Sequence, residues 1–157
     1  MSGKVTNIVI AGLGGQGVLK ASDIVADVAV SAGLGVKKSE IHGMSQRGGS
    51  VSSDVRFGER VFSPMVPEGE ADFLVVIAAD QIPVNAAASR PGGVVIEPAQ
   101  VRENELRNKK SLNIALLGAL SRHLQFPVDA WKAAIRANLP VALHEANLQA
   151  FNLGRGV

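Results

Sequence analysis

The residues best equipped for chemistry gather between Glu40 and Phe57, in the run EIHGMSQRGGSVSSDVRF. His42, Ser45, Gln46 and Arg47 place a titratable ring, a hydroxyl, an amide and a guanidinium close together. Gly43, Gly48 and Gly49 let the backbone around them turn or approach another group closely. Such a segment has almost nothing apolar to bury, so it reads as a loop that meets a ligand or a partner. Arg47, between Gln46 and two glycines, can grip a phosphate or carboxylate with parallel N–H donors, or form an ion pair across a subunit interface. His42 can serve as a general base, donate to a phosphate, or merely occupy the loop; its one nearby carboxylate is Glu40.

A second constellation lies upstream. Gly12-Leu13-Gly14-Gly15-Gln16-Gly17 matches G-x-G-x-x-G between an apolar β-branched run (Val5 to Ala11) and a helical pattern from Val18. Glycines there allow a tight turn, and free N–H groups at a helix N-terminus attract anions. Glycines also permit close packing of a strand on a helix, so anion or nucleotide binding and a packing or interface role both stand. A dinucleotide fold places an acid about 20 residues further on, at the end of the second strand. Glu40 falls near that distance, but beside the His42–Gly49 loop and after Lys37 and Lys38. Gly14→Val is expected to harm folding or assembly, because the turn at Gly14 is read as taking φ > 0.

The elements that must hold these residues follow from periodicity. Apolar positions 18, 21, 24, 25, 28 and 29 mark one helix face, closed by Gly33 and Gly35. Residues 35–41 form a second short strand. Val51, Ser53, Val55 and Phe57 alternate with Ser52, Asp54 and Arg56, and Gly58-Glu59 predicts a tight turn into 60–62, an edge hairpin. Ala71 to Ala79 is a continuous apolar strand of the kind found in the middle of a parallel sheet. Asp80 at its end faces the ligand crevice or caps the next, weak helix; the cap is the favoured reading. Gly93 to Ile96 adds a strand, and 112–124, a segment opened by Pro127 and Asp129, and one from Pro140 to about Phe151 make the last third helical. Trp131 reads as a core anchor or a subunit contact, and His123 and His144 as ordinary helix residues. The fold class is α/β: one Rossmann-like three-layer domain over residues 1–157, with a mostly parallel central sheet, an edge hairpin and a helical C-terminal third.

Composition narrows the function. Five Phe, one Trp and no Tyr leave bulk to Val, Ala, Leu and Ile, as suits a buried sheet under Ala-rich helices. A net charge of +2 gives no basic face for nucleic acid. The chain has no cysteine, so it supplies no disulfide, thiolate nucleophile or thiolate metal ligand. No long apolar span or signal-peptide core is visible, and the expected location is cytoplasmic. No Ser/His/Asp set, metal-ligand cluster or P-loop lysine stands out. The expectation is a chain with no catalytic residue and no metal site of its own.

Together, IVIAGLGGQGVLKASDIVADVA (Ile8–Ala29) and KKSEIHGMSQRGGSVSSDVRFG (Lys37–Gly58) closely resemble the gamma subunit or domain of the 2-oxoacid:ferredoxin oxidoreductases. The small (beta) subunits of indolepyruvate ferredoxin oxidoreductase are the most similar branch. NIALLGAL (Asn113–Leu120) and EANLQAFNLG (Glu145–Gly154) extend the resemblance over nearly the whole chain. It implies a subunit that binds no thiamine itself, in an enzyme that oxidatively decarboxylates an aryl 2-oxoacid such as indolepyruvate, forms the acyl-coenzyme A and passes electrons to ferredoxin. Thiamine diphosphate, Mg²⁺ and iron–sulfur (4Fe–4S) clusters are then expected in large partner subunits, with coenzyme A as co-substrate. Gly12, Gly14, Gly15, Gln16, Gly17, His42, Ser45, Gln46, Arg47, Gly48 and Gly49 would lie beside the partner's cofactor or the coenzyme A path. The chain is short for an indolepyruvate relative, which keeps open a phenylglyoxylate dehydrogenase-like enzyme with NAD as final acceptor. A free-standing nucleotide-binding module is the competing class. No nucleic acid or membrane partner is expected, and a homodimer of the isolated chain is left open.

Overall fold

The computed structural model describes residues 4–42 and 49–156, apart from the side chain of His42. The β-branched run of β1 (Val5–Leu13) is buried on both faces, Ile8 and Ile10 on one side and Val9 on the other. It forms the spine of a five-stranded sheet in the order β2-β3-β1-β4-β5, with β2 at Gly35–His42, β3 at Ser50–Gly58, β4 at Ala71–Val76 and β5 at Ser89–Ile96. β1 pairs in parallel with β4, Ile8 opposite Phe73 through Ala11 opposite Val76, and β4 pairs in parallel with β5. β3 runs antiparallel to both β1 and β2. It is therefore the one strand directed against the other four.

The hairpin expected at Gly58-Glu59 does not form. Gly58 already pairs with Val5 on one side and Gly35 on the other, so β3 is filled along both edges. The chain leaves the sheet instead, and side chains of β3 catch it. Arg56 Nη1 donates to the carbonyls of Ser63 at 2.9 Å and Met65 at 3.3 Å, and the Val66 N–H donates to Asp54 Oδ2 at 2.9 Å. The edge hairpin is β2–β3, joined through the Gly43–Gly48 segment.

Four helices cover one face: α1 (Val18–Ser31), α3 (Leu112–Ser121), α4 (Val128–Asn138) and α5 (His144–Arg155). Their apolar stripes enclose the main core with Ile8, Ile10, Val55 and Ile96. Trp131 is fully buried, in a chain of rings from Phe57 through Phe126 to Phe151. That makes it a core anchor. α3 and α5 cross at van der Waals limits: a Cβ at Gly118 would stand 2.2 Å from the Phe151 carbonyl oxygen. The other face of the sheet carries a smaller cluster of Val9, Ala71, Leu74 and Val76. Among the described residues its cover is thin, consisting of α2 (Ile82–Asn85), the 3₁₀ turns beside it and the 59–70 segment.

Candidate functional site at the glycine turn

The site is built where β1 ends. Ile77 N–H donates to the Ala11 carbonyl at 2.8 Å, continuing the parallel pairing to the strand tip. The chain then turns back through Gly14-Gly15-Gln16 before α1 begins. Gln16 closes this turn itself: its N–H donates to the Leu13 carbonyl, and its Oε1 accepts from the Leu13 N–H at 2.7 Å. The left-handed residues are Gly15 (φ 88°) and Gly17 (φ 82°), not Gly14 as the sequence suggested. Gly14 is exposed, and its N–H donates to the Gly49 carbonyl at 2.9 Å.

That last bond joins the two motifs. Gly49 is the last residue of the His42–Gly49 loop, and Leu13 pairs with Ser50 at the start of β3. His42 ends β2 opposite Val51, so both ends of the loop lie at the same edge of the sheet. Ser45, Gln46, Arg47 and Gly48, named above as site residues, lie outside the described residues. Gly12, Gly14, Gly15, Gln16, Gly17, His42 and Gly49 are brought to one edge, at the carboxyl ends of β1, β2 and β4, where open α/β sheets hold their ligands.

Two buried amides complete the arrangement, and neither was singled out from the sequence. Asn113, at the start of α3, is 7% exposed and donates from Nδ2 to the Gly17 carbonyl at 3.1 Å. Gln81 accepts from Ser50 Oγ at 2.7 Å, fastening the segment after β4 to the start of β3. The signal for Asn113 was a polar residue opening a helix that is otherwise apolar almost all round. Gln81 sits in a polar-looking stretch and gave no signal.

The geometry separates the readings of the glycine motif. A Cβ at Gly17 would stand 2.4 Å from Asn113 Nδ2, and one at Gly12 would stand 2.9 Å from Gln16 Oε1 and 3.2 Å from Ile77 Cβ. Close packing thus accounts for two glycines outright. A dinucleotide site needs the second strand beside the first, so that its acid reaches the ribose. Here β3 lies between β1 and β2, moving Glu40 away from the turn by one strand spacing, about 4.8 Å. Asp80 is exposed on the 3₁₀ turn after β4 and forms no cap; the residue before that turn is Ala78. The favoured cap reading is therefore corrected. His123 is remote from the glycine turn, its ring 5.7 Å from that of Phe73, and His144 bonds to the carbonyls of Arg136 and Leu139.

Among the described residues one ionisable group is clearly shifted, and it lies away from the turn. Burial pushes the Asp54 carboxyl above the ordinary value of 3.8, against the opposing pull of the Val66 N–H and of Arg56.

The described part of this arrangement presents backbone and amide groups. The fold itself is that of solved oxidoreductase subunits. It superposes on the keto/oxoacid ferredoxin oxidoreductase gamma subunit of Geobacter sulfurreducens with a TM-score of 0.77 at 23% identity, covering 96% of this chain and 94% of that one. It also superposes on 2-oxoglutarate:ferredoxin oxidoreductase from Magnetococcus marinus (TM-score 0.81, 20% identity), covering 98% of this chain but 31% of that longer one. The family described as pyruvate ferredoxin/flavodoxin oxidoreductase matches residues 7–103, and the chain belongs to it. Indolepyruvate oxidoreductase subunit IorB of Thermococcus kodakarensis is 34% identical over 191 aligned positions, 96% of this chain and 95% of that protein. Because this chain has 157 residues, that relative carries internal segments that this one lacks.

Proposed function

We propose that this chain is the subunit without thiamine of an enzyme that oxidatively decarboxylates an aryl 2-oxoacid such as indolepyruvate. In that reaction the bond to the carboxylate breaks and carbon dioxide leaves. The acyl carbon joins the coenzyme A sulfur as the thiol S–H bond breaks and its proton is released, and a pair of electrons passes to ferredoxin. The observation that carries the reading is the match to IorB along nearly the full length of both chains.

The described residues offer no ligand set for the clusters or the metal of such an enzyme. The sequence has no cysteine to ligate an iron–sulfur cluster, and the described residues contain no group of three or more His, Asp or Glu able to hold a metal. On the family resemblance we assign thiamine diphosphate, Mg²⁺ and the clusters to the large subunit. This chain contributes the edge at which the Gln16-closed turn and the His42–Gly49 loop meet, with Arg47 as the ligand-gripping side chain. No helix among the described residues is long and apolar enough to cross a membrane. We place the complex in the cytoplasm, a reducing compartment that a chain without disulfides fits.

The test is anaerobic co-purification of this chain with the product of its neighbouring large-subunit reading frame. A brown complex that reduces ferredoxin with indolepyruvate and coenzyme A supports the reading. Preference for phenylglyoxylate with NAD⁺ as acceptor would move it to the other aryl branch. A colourless chain that comes down alone and binds a nucleotide would overturn it.

A further inference from the structure

The two faces of the sheet are finished very differently. Four helices seal one, while the other keeps a cavity of about 340 Å³ between the sheet and its thin cover. Ile41, Met65 and Val84 line this cavity and are 48, 54 and 64% exposed. Phe62, on the same loop as Met65, is 86% exposed. Large apolar side chains scattered singly over a surface need no explanation, but several around one cavity mark a contact site.

The loop that carries Phe62 and Met65 is fixed in advance. Arg56 holds two of its carbonyls and Asp54 holds the Val66 N–H, so two neighbouring positions of β3 set its course. A surface ordered before it binds avoids much of the entropic cost of association. Arg56 stands beside Asp54 with its guanidinium engaged by the Ser63 and Met65 carbonyls, and among the described residues it does not line the cavity. The ionisable residues that do are Asp54 and Glu68, both acidic. Asp54 is 6% exposed, and while Oδ2 receives the Val66 N–H, Oδ1 makes no hydrogen bond among the described residues.

We propose that this cavity and its rim dock an apolar segment of the large subunit that carries one basic side chain, seated opposite Asp54. The proposal rests on the subunit reading above. Apolar rim residues supply buried area, and the acidic floor selects the sign of the incoming charge. The occupant is another part of the same enzyme. The fold is one portion of a longer chain in the Magnetococcus structure, so the fold can be housed within a larger assembly.

The experiment titrates the purified large subunit onto this chain, anaerobically, with a melting curve for every variant. Met65→Lys and Val84→Lys place a cation at the mouth of an acidic cavity, on exposed positions that the fold does not need. Both are expected to weaken association by about 30-fold or more, with the melting temperature unchanged. Asp54→Asn keeps the shape and the acceptor for Val66 and is expected to weaken association to a similar degree. Val84→Glu, of the same sign as the floor, is expected to lose much less than Val84→Lys. Wild-type affinity in both lysine variants would overturn the docking surface while leaving the subunit reading intact. Equal losses in Val84→Glu and Val84→Lys would overturn the basic partner group. A wild-type chain that binds no large subunit would remove the reading and the surface together. A dimer of this chain broken by the same substitutions would overturn the proposal in favour of a second copy.

Discussion

Gly17→Ala discriminates a packing role for the glycine turn from a ligand role, because its cost can be worked out residue by residue. Gly17 has φ 82°, and a left-handed alanine costs about 1–2 kcal/mol. Its Cβ would stand 2.4 Å from Asn113 Nδ2, so the amide must move. Moving it breaks the 3.1 Å bond to the Gly17 carbonyl and leaves a buried donor unpaired, about 1–2 kcal/mol more. The expected total is on the order of 3 kcal/mol, a fall in melting temperature of roughly 6–12 °C for a chain of this size. Gly15→Ala is the control: φ is 88°, but nothing lies within 4 Å of the added atom, so the conformational cost of about 1–2 kcal/mol stands alone. Asn113→Ala removes the obstacle. In the Gly17→Ala/Asn113→Ala pair the loss should fall short of the sum of the singles by about 1.5 kcal/mol. Urea unfolding of the isolated chain, followed by circular dichroism, measures all four. Additivity within about 0.5 kcal/mol, or equal losses for Gly17→Ala and Gly15→Ala, would refute the packing argument.

Further outcomes follow from other parts of the molecule. At Gly154 a Cβ would stand 1.7 Å from the Ala115 carbonyl oxygen, a backbone atom that cannot swing aside. The gain of about 1 kcal/mol in helix propensity is therefore outweighed, and Gly154→Ala should lose about 2 kcal/mol or more in a thermal scan. An unchanged or higher melting temperature would reject the crossing of α3 and α5. Because the folded Asp54 carboxyl titrates above its unfolded value, the folded state holds its proton more tightly. Its contribution is most favourable below about pH 4 and is lost as pH rises through the folded pKa. Asp54→Asn should thus gain stability relative to wild type as pH rises from about 4 through the folded pKa, and a difference that does not change with pH would contradict the burial argument. Arg47→Ala in the assembled enzyme should lower kcat/KM for coenzyme A or the 2-oxoacid by about 10-fold or more, with assembly intact. Normal kinetics there would remove Arg47 from the site.

Much of the architecture was legible because it rests on local patterns. The β-branched run at Val5–Ala11, the helical spacing after Val18 and the apolar stretch at Ala71 each specify an element without outside help. What the sequence hid was pairing. The alternation from Val51 to Phe57 announces a strand, but nothing local says that both of its edges are taken, by β1 and by β2. The hairpin reading failed at Gly58 for that reason. Asp80 was misread in the same way, since a cap depends on where the next helix begins: Asp80 lies inside the 3₁₀ turn, and the short α2 behind it starts after Gln81 with no side-chain cap. At the site, the glycines were visible and their long-range partner was not: Asn113 is 96 residues from Gly17.

The insertion of β3 also bears on what the glycine turn can do. In a dinucleotide fold the turn, the helix N-terminus and the acid of the adjacent strand converge on one ligand. Here α1 still begins at the turn, but the neighbouring strand is antiparallel, and its first residues return from the loop that carries His42 and Arg47. The place where a ribose would be recognised is filled by the backbone of Gly49 and Ser50, bonded to Gly14 and paired with Leu13. The same glycines thus tie a loop to the sheet edge. Strand pairing fixes the two ends of that loop, at His42 opposite Val51 and at Ser50 opposite Leu13. That arrangement suits a subunit which completes a site rather than one which contains it.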